Sequence, residues 1–383
     1  MKKKKILIFS DWFYPGYRAG GPIKSVTNLS LALQKQYDVY VFTADTDINE
    51  KDPYRNVEAN TWVKPFVNSD VKVYYCSKSN LSTECINNIL GEVLPAYVYL
   101  NHMWSFWFVL QPLFICWLRF KQINIVLCPR GALFESAIHY LNTNIKKRIL
   151  LVFVKLLRIH KRIIFHATSE QEKFTIQKYF GLVNIKRANN LPDIHQNQII
   201  PIVKIKGKLK LVFIARIVEI KNLKLLLDNL LLVKSIVDVT IAGPIGDNTY
   251  WNSCLNIIEQ MPKNITIKYI GEITPIEILP LLQKNHLYCL PSQGENFGHS
   301  IFESFLIGRP VLISDQTPWL DLNNKNAGWD INLNQINPLF PFIEKSSNWN
   351  QEHFNLLCEG AWSIAHEYIS NPNLISDYNH LFN

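Results

Sequence analysis

The sequence predicts an α/β protein made of two Rossmann-like domains facing a cleft. Three observations predict it. Short apolar runs alternate with amphipathic helical stretches, the alternation occurs twice, and a polar segment separates the two rounds. A chain of 383 residues has room for two domains with sizeable cores.

In the first half the apolar runs are Ile6–Ser10, Val39–Thr43, Val71–Tyr75, Val98–Asn101, Ile125–Cys128, Ile163–Ala167 and Ile185–Asn189. Amphipathic stretches such as Pro22–Gln36, Ile145–Arg158 and Glu170–Phe180 lie between them. The second half repeats the scheme with Leu209–Ala215, Val237–Ala242, Ile265–Tyr269, Leu287–Leu290 and Pro310–Ser314. Its helical stretches include Asn222–Val233, Tyr250–Gln260, Pro275–Gln283 and His299–Ile307. Unbroken apolar strands fit parallel sheets covered on both faces. The polar segment Pro192–Lys210, with Pro192, Pro201 and four alternating lysines, reads as the linker. The expected boundaries are 1–193, 208–350 and a helical segment, 351–383, that crosses back to the first domain.

Composition excludes several classes. A 48% hydrophobic and 19% charged chain is neither disordered nor low-complexity. The seven cysteines are dispersed with no C-x-x-C, which argues against a disulfide framework or a zinc site and for a reducing cytosol. The basic start Met1–Lys5 is followed by too short an apolar run for a signal peptide. Trp104–Phe120 is aromatic-rich but carries Gln111, Pro112 and Arg119, and reads as a core helix rather than a membrane span. The net charge of +9 is uneven: residues 1–190 hold 26 Lys and Arg against 13 Asp and Glu, whereas residues 191–383 hold 14 against 18. The basicity belongs to one domain, unlike a uniform nucleic-acid-binding surface.

The densest chemistry is in Pro291–Trp319. A strand ends near Leu290, a loop with Gly294 and Gly298 follows, and a helix starts near His299. Backbone N–H groups and the helix dipole there suit a phosphate. Glu295 and Glu303 are eight residues apart, roughly 12 Å along a helix axis. That is too far for a glycosidase acid/base pair, which needs about 5–9.5 Å, and better suited to gripping two ends of an elongated ligand.

This segment resembles the Glu-x7-Glu signature of retaining glycosyltransferases of the GT-B fold, family 4 (glycosyl transferases group 1). Gly308–Arg309–Pro310–Val311 and Ser314–Asp315 are similar to the turn and strand that follow in that family. Asn296 stands where much of the family has Gly. Upstream, Arg216 and Lys221 are similar to the family's cation pair for the donor pyrophosphate, with Asn222 replacing the usual Gly. The resemblance implies that Glu303 takes the ribose and Glu295 the sugar hydroxyls. Arg216 and Lys221 would take the diphosphate, and Asn296, Phe297, Gly298 and His299 would bind the donor beside them.

In the first domain, Tyr14–Pro22 joins the first strand to the first helix, and Gly20 and Gly21 permit close backbone approach. The loop resembles the family's glycine-rich loop facing acceptor and phosphate. Pro129–Arg130–Gly131 is similar to a loop where many members carry a catalytic His. Arg130 is expected to contact phosphate or sugar but cannot act as a base. His102 and His166, at two other strand ends, read as structural.

No H-x-x-x-H or Cys/His cluster is present, and Asp45-Thr46-Asp47 is an Asp-x-Asp with no further ligand beside it in the motif, so neither a metal nor a cofactor is expected. Seven cations and no acid occupy 136–169, a pattern that suits either the solvated basic face of a Rossmann helix or an anionic lipid surface. The expected partners are a nucleotide-sugar donor and a saccharide or lipid-linked oligosaccharide acceptor, with no nucleic acid. The expected setting is bacterial surface-polysaccharide synthesis in the cytoplasm, at the inner face of the membrane. The competing readings are a GT-B nucleotide-sugar epimerase and a non-catalytic basic protein that binds membrane or nucleic acid.

Overall fold

The computed structural model describes residues 3–134, 145–194 and 197–382. It comprises two compact units, Met1–Asp193 with Pro372–Asn383 and Ile194–Asn371.

The first unit holds an eight-stranded sheet of β1 (Lys5–Phe9), β2 (Asp38–Ala44), β3 (Trp62–Val63), β4 (Lys72–Cys76), β5 (Tyr97–Asn101), β6 (Asn124–Cys128), β7 (Ile163–Ala167) and β8 (Asn184–Arg187). Their order is β3-β4-β2-β1-β5-β6-β7-β8. All pairs are parallel except β3 with β4. Its helices are α1 (Gly21–Leu33), α2 (Thr83–Val93), α3 (Gln111–Leu118), α4 (Ile145–Leu156) and α5 (Glu170–Phe180).

Trp104–Phe120 resolves into a π-helical turn, Phe106–Leu110, followed by α3, with Phe108, Val109, Leu113, Ile115 and Cys116 buried. Among the described residues no helix is long and apolar enough to cross a membrane. In α4 the side chains of Lys146, Lys147 and Arg148 lie outside the described residues.

The second unit holds a fully parallel six-stranded sheet of β9 (Lys208–Ile214), β10 (Ile236–Ala242), β11 (Ile265–Tyr269), β12 (Leu287–Leu290), β13 (Val311–Ser314) and β14 (Gly328–Ile331). The order is β11-β10-β9-β12-β13-β14, so it reverses between β9 and β12. Every residue of β12 and β13 is buried, which is why both read as unbroken apolar runs. Helices α6 (Leu223–Leu230), α7 (Asn248–Ile258), α8 (Pro275–Gln283), α9 (His299–Leu306), α10 (Phe340–Ser347) and α11 (Gln351–Ser370) cover it.

Local sequence sets the helix starts. Asp247 accepts the Tyr250 N–H at 3.0 Å, and Thr274 with Glu277 forms a reciprocal capping box.

The segment expected as linker is partly structural. Lys204 is 4% exposed and donates to the carbonyls of Ile205, Lys208, Ser347 and Trp349 at 2.8–3.3 Å, which ties it into the second unit. The expected helical tail divides instead of acting as one segment. Helix α11 packs in the second unit, and α12 (Asn373–Leu381) belongs to the first. There the Tyr378 hydroxyl donates to Asn189 O at 2.8 Å, and Phe382 contacts the rings of Tyr37, Tyr97 and Tyr99.

Two buried histidines are held neutral. His166 donates from Nε2 to Ala188 O at 2.8 Å, and Nδ1 lies 2.9 Å from the Tyr99 hydroxyl. His286 accepts the Lys210 N–H at 2.9 Å and lies 2.9 Å from Val203 O. Burial lowers their pKa values to about 3 and about 4.

The unfolded chain takes up protons near the ordinary value of about 6.5, and the folded chain does not until far lower pH. Stability therefore falls as pH drops from about 6.5 toward 4. Denaturant midpoints measured across this window should decline in the parent protein and decline less steeply in His286→Gln, which keeps one donor and one acceptor.

Candidate active site

The site grows from the carboxyl ends of β9 and β12, the two strands between which the sheet order reverses. In open parallel sheets ligands bind at this switch point. After β9 the chain passes through Arg216 to a short 3-10 turn, Glu219–Lys221, and Asn222 turns it into α6 with φ 59°. A left-handed residue there is where Asn substitutes for Gly at least cost. After β12 it forms the loop Pro291–Gly298 and enters α9.

Hydrogen bonds tie these loops together. Ile220 O accepts from Gln293 N at 2.8 Å and from the Ser292 hydroxyl at 3.0 Å. Glu295 N donates to Gln316 O at 3.0 Å, and the Ser314 hydroxyl donates to Ser292 O.

Lys221 Nζ therefore forms an ion pair with Glu295 Oε1, with side-chain exposures of 23% and 12%. Arg216 is exposed in the segment that follows β9. The stem of Arg216 passes over Gly246, where an added Cβ would approach its Cγ and Cδ to 3.0 Å and Val218 Cγ1 to 2.6 Å. Gly246 thus keeps space for the arginine.

Gly298 adopts φ 75° and caps α9, and its carbonyl accepts Phe302 N at 3.0 Å. The first turn of α9 starts at His299, whose ring packs edge-on against Phe297 at 4.8 Å. Phe297 itself is a core side chain, 6% exposed and packed against Phe302, Trp319 and Tyr368. Its carbonyl accepts the Trp319 indole N–H at 2.6 Å, so at the turn it offers backbone rather than its ring. Asn296 lies half-buried in the same loop, and Glu303 follows in the second turn of α9.

Sequence reasoning missed Tyr288 in β12. Its fully buried hydroxyl lies 3.1 Å from Ile214 O at the end of β9 and 2.7 Å from the Ser300 hydroxyl in α9. Burial, then the nearby charges of Glu295 and Glu303, push its pKa well above the ordinary value. A neutral tyrosine thus pins strand to helix between the two carboxylates. An alternating polar residue inside an apolar run was the signal available for it.

In the first unit the structure places Gly20 and Gly21 at the start of α1, with Gly20 at φ 68° as its cap. Asp47 holds the preceding turn by accepting Tyr17 N at 2.7 Å and Arg18 N at 3.0 Å. Arg130 is built into a network within this unit. It donates to Asn101 Oδ1 at 3.0 Å, the Tyr99 hydroxyl at 3.1 Å and Asn190 Oδ1. Gly131 N donates to Glu172 Oε1 at 2.6 Å, and fully buried Glu172 also accepts from Thr168 N and its hydroxyl. Three of the five guanidinium N–H groups serve this framework, which fixes where the Arg130 side chain sits. Among the described residues no group of three or more His, Cys, Asp or Glu converges to hold a metal.

Residues 195–334, which contain every second-unit residue named here as a donor-site candidate, match the family model described as glycosyl transferases group 1. No curated protein matches the chain by sequence. Solved structures match it over nearly its whole length. HepE of Anabaena, in complex with UDP and glucose, aligns with a TM-score of 0.73 at 14% identity, covering 98% of each chain. Sucrose-phosphate synthase of Thermosynechococcus elongatus gives 0.73 at 13% identity, covering 99% of this chain and 98% of its own. TarM of S. aureus (a point mutant in complex with fondaparinux, alpha-GlcNAc-glycerol and UDP) gives 0.70 at 14%, covering 99% and 100%. The chain therefore has the α/β fold of GT-B glycosyltransferases, with two parallel-sheet domains, and the family-model match lies within its second unit.

Proposed function

We propose that the protein is a retaining glycosyltransferase of family 4 that moves a hexosyl group from a nucleotide sugar to a saccharide acceptor. The observation that carries this reading is the Lys221–Glu295 ion pair, which joins the turn after β9, just past Arg216, to the loop before Gly298 at the switch point of the second sheet. Two cations and the N–H groups of the first turn of α9 receive the donor diphosphate and stabilise the leaving charge. Glu303 accepts from the ribose hydroxyls and Glu295 from the sugar. Before the donor binds, Glu295 neutralises Lys221. A diphosphate competes for Lys221 and releases Glu295 to the sugar hydroxyls. Charge neutralisation by these cations makes transfer independent of a divalent metal. The UDP and UDP-glucose complexes of HepE favour a uridine nucleotide as donor.

A lipid-linked acceptor, used in bacterial surface-polysaccharide synthesis at the inner face of the membrane, is favoured by the first unit. Helix α4 exposes Ile149 (62%), Val152, Phe153 and Leu156 (75%), flanked by Lys155 and Arg158. Apolar side chains among cations and no acids suit an anionic lipid surface.

Isothermal titration with a panel of UDP- and GDP-sugars should find one donor that binds equally well with or without EDTA. Lys221→Met and Glu303→Gln should each weaken it about tenfold or more, roughly 1.4 kcal/mol per factor of ten. Absence of binding by every nucleotide sugar, or unaltered binding in both variants, would refute the assignment. In flotation assays the protein should bind vesicles containing phosphatidylglycerol but not pure phosphatidylcholine, and Leu156→Glu should reduce that binding severalfold. Equal recovery with both vesicles would sink the lipid reading.

A further inference from the structure

We propose that Cys76 and Cys85 form a modification site, a thiol pair that hydroperoxides oxidise to a reversible disulfide. Cys76 ends β4 and is 1% exposed, whereas Cys85, the third residue of α2, is only partly buried. Their sulfurs lie 4.0 Å apart. A disulfide needs about 2.05 Å, so side-chain rotation and a small shift of the helix start close the gap.

The intervening turn is already tied. Asn80 N and Leu81 N both donate to Ser77 O at 3.0 Å, Ser77 N donates to Asn60 Oδ1 at 3.0 Å, and Ser82 caps α2 through Cys85 N at 3.1 Å. Asn80 Nδ2 lies 3.8 Å from Cys85 Sγ. The hydrogen bond from Cys76 lowers the Cys85 pKa, while burial raises those of Cys116 to about 12 and of Cys128 and Cys358 to about 11. Cys85 is therefore the attacking thiolate.

The chemistry balances with peroxide as oxidant. The Cys85 thiolate attacks one peroxide oxygen, the O–O bond breaks, and a sulfenic acid and hydroxide form. The Cys76 sulfur then attacks the Cys85 sulfur, and the S–O bond breaks. The departing hydroxide leaves as water with the Cys76 proton. Two electrons pass from the two thiols to one peroxide.

The pair is wired to the turn that carries Gly20. Cys76 O accepts Asp45 N at 3.2 Å, and the neighbouring Tyr75 hydroxyl donates to Tyr14 O. Two residues beyond Asp45, Asp47 holds Tyr17 N and Arg18 N. Displacing the end of β4 moves these anchors. The redox step stands without the reading of Gly20 as an acceptor loop; only its consequence for transfer rests on it.

Intact-mass analysis of the full chain after brief treatment with hydrogen peroxide should show the loss of two hydrogen atoms, reversed by dithiothreitol. Trypsin should then release Val73–Lys78 linked to Ser79–Arg119, with fragment ions placing the link at Cys85 and not at Cys116 of that peptide. Cys76→Ser should instead accumulate a Cys85 sulfenic acid trapped by dimedone, and Cys85→Ser should do neither. Hydrogen exchange at Tyr17, Arg18 and Gly20 should change on oxidation. The proposal is overturned if no 76–85 link forms while another cysteine oxidises, or if iodoacetamide labels Cys85 no faster than Cys116. Unchanged exchange at those three residues would refute the link to the loop. None of these readouts depends on glycosyl transfer, so they stand or fall apart from the proposed activity.

Discussion

The arrangement on which the second unit depends is the side-by-side placement of β9 and β12. Two strands and three helices separate them in sequence, yet Leu211 pairs with Leu287 and Val212 with Tyr288. The chain leaves β9 toward one side of the sheet and β12 toward the other, and the space between the two exits holds no crossover helix. Arg216 and Lys221 come from the first exit, Glu295 and the start of α9 from the second. Had the order not reversed here, the cations and the carboxylates would belong to different edges of the sheet.

Side-chain hydroxyls and backbone carbonyls then fix the two exits against each other. Tyr288 links the end of β9 to α9, Ser292 links β12 to the Lys221 turn, and Ser314 holds Ser292 from β13. These are neutral groups, so they set geometry without competing for the charges. The Lys221–Glu295 pair is the charged element. The two side chains keep 23% and 12% exposure, so the pair is largely enclosed but still in reach of solvent. In the proposed reaction, the diphosphate would meet a cation whose carboxylate partner it can displace. The first unit works differently: Arg130 spends its donors on Asn101, Asn190 and Tyr99, and no such exchangeable pair surrounds it among the described residues.

Much of this was legible in the sequence. The strands buried on both faces, such as β12 and β13, showed as unbroken apolar runs, and the start of α9 was placed at His299 by the Gly298 turn before it. The Glu295/Glu303 and Arg216/Lys221 spacings each lie within one strand-to-helix unit, and the structure pairs Lys221 of one unit with Glu295 of the other. Helix α2 was overlooked although Ser82 caps it and Ile86, Ile89, Leu90 and Val93 give its buried face, since it is short and sits among polar residues. Lys204 looked like one of four linker lysines, because periodicity cannot reveal an ammonium enclosed by carbonyls from residue 347 and beyond. Tyr288 and Gly246 act through contacts distant in sequence. Phe297, read as lining the donor turn, is claimed by an aromatic cluster that includes Tyr368, 71 positions later.

The central claim is that Lys221 exchanges Glu295 for a diphosphate. Calorimetric binding of UDP, which has the diphosphate but no sugar, to the parent protein and to Glu295→Gln tests it most directly. If Glu295 competes for Lys221, removing its charge tightens UDP binding. If UDP binds Glu295→Gln no better, or worse, than the parent, Lys221 is not exchanged in this way and the account is contradicted.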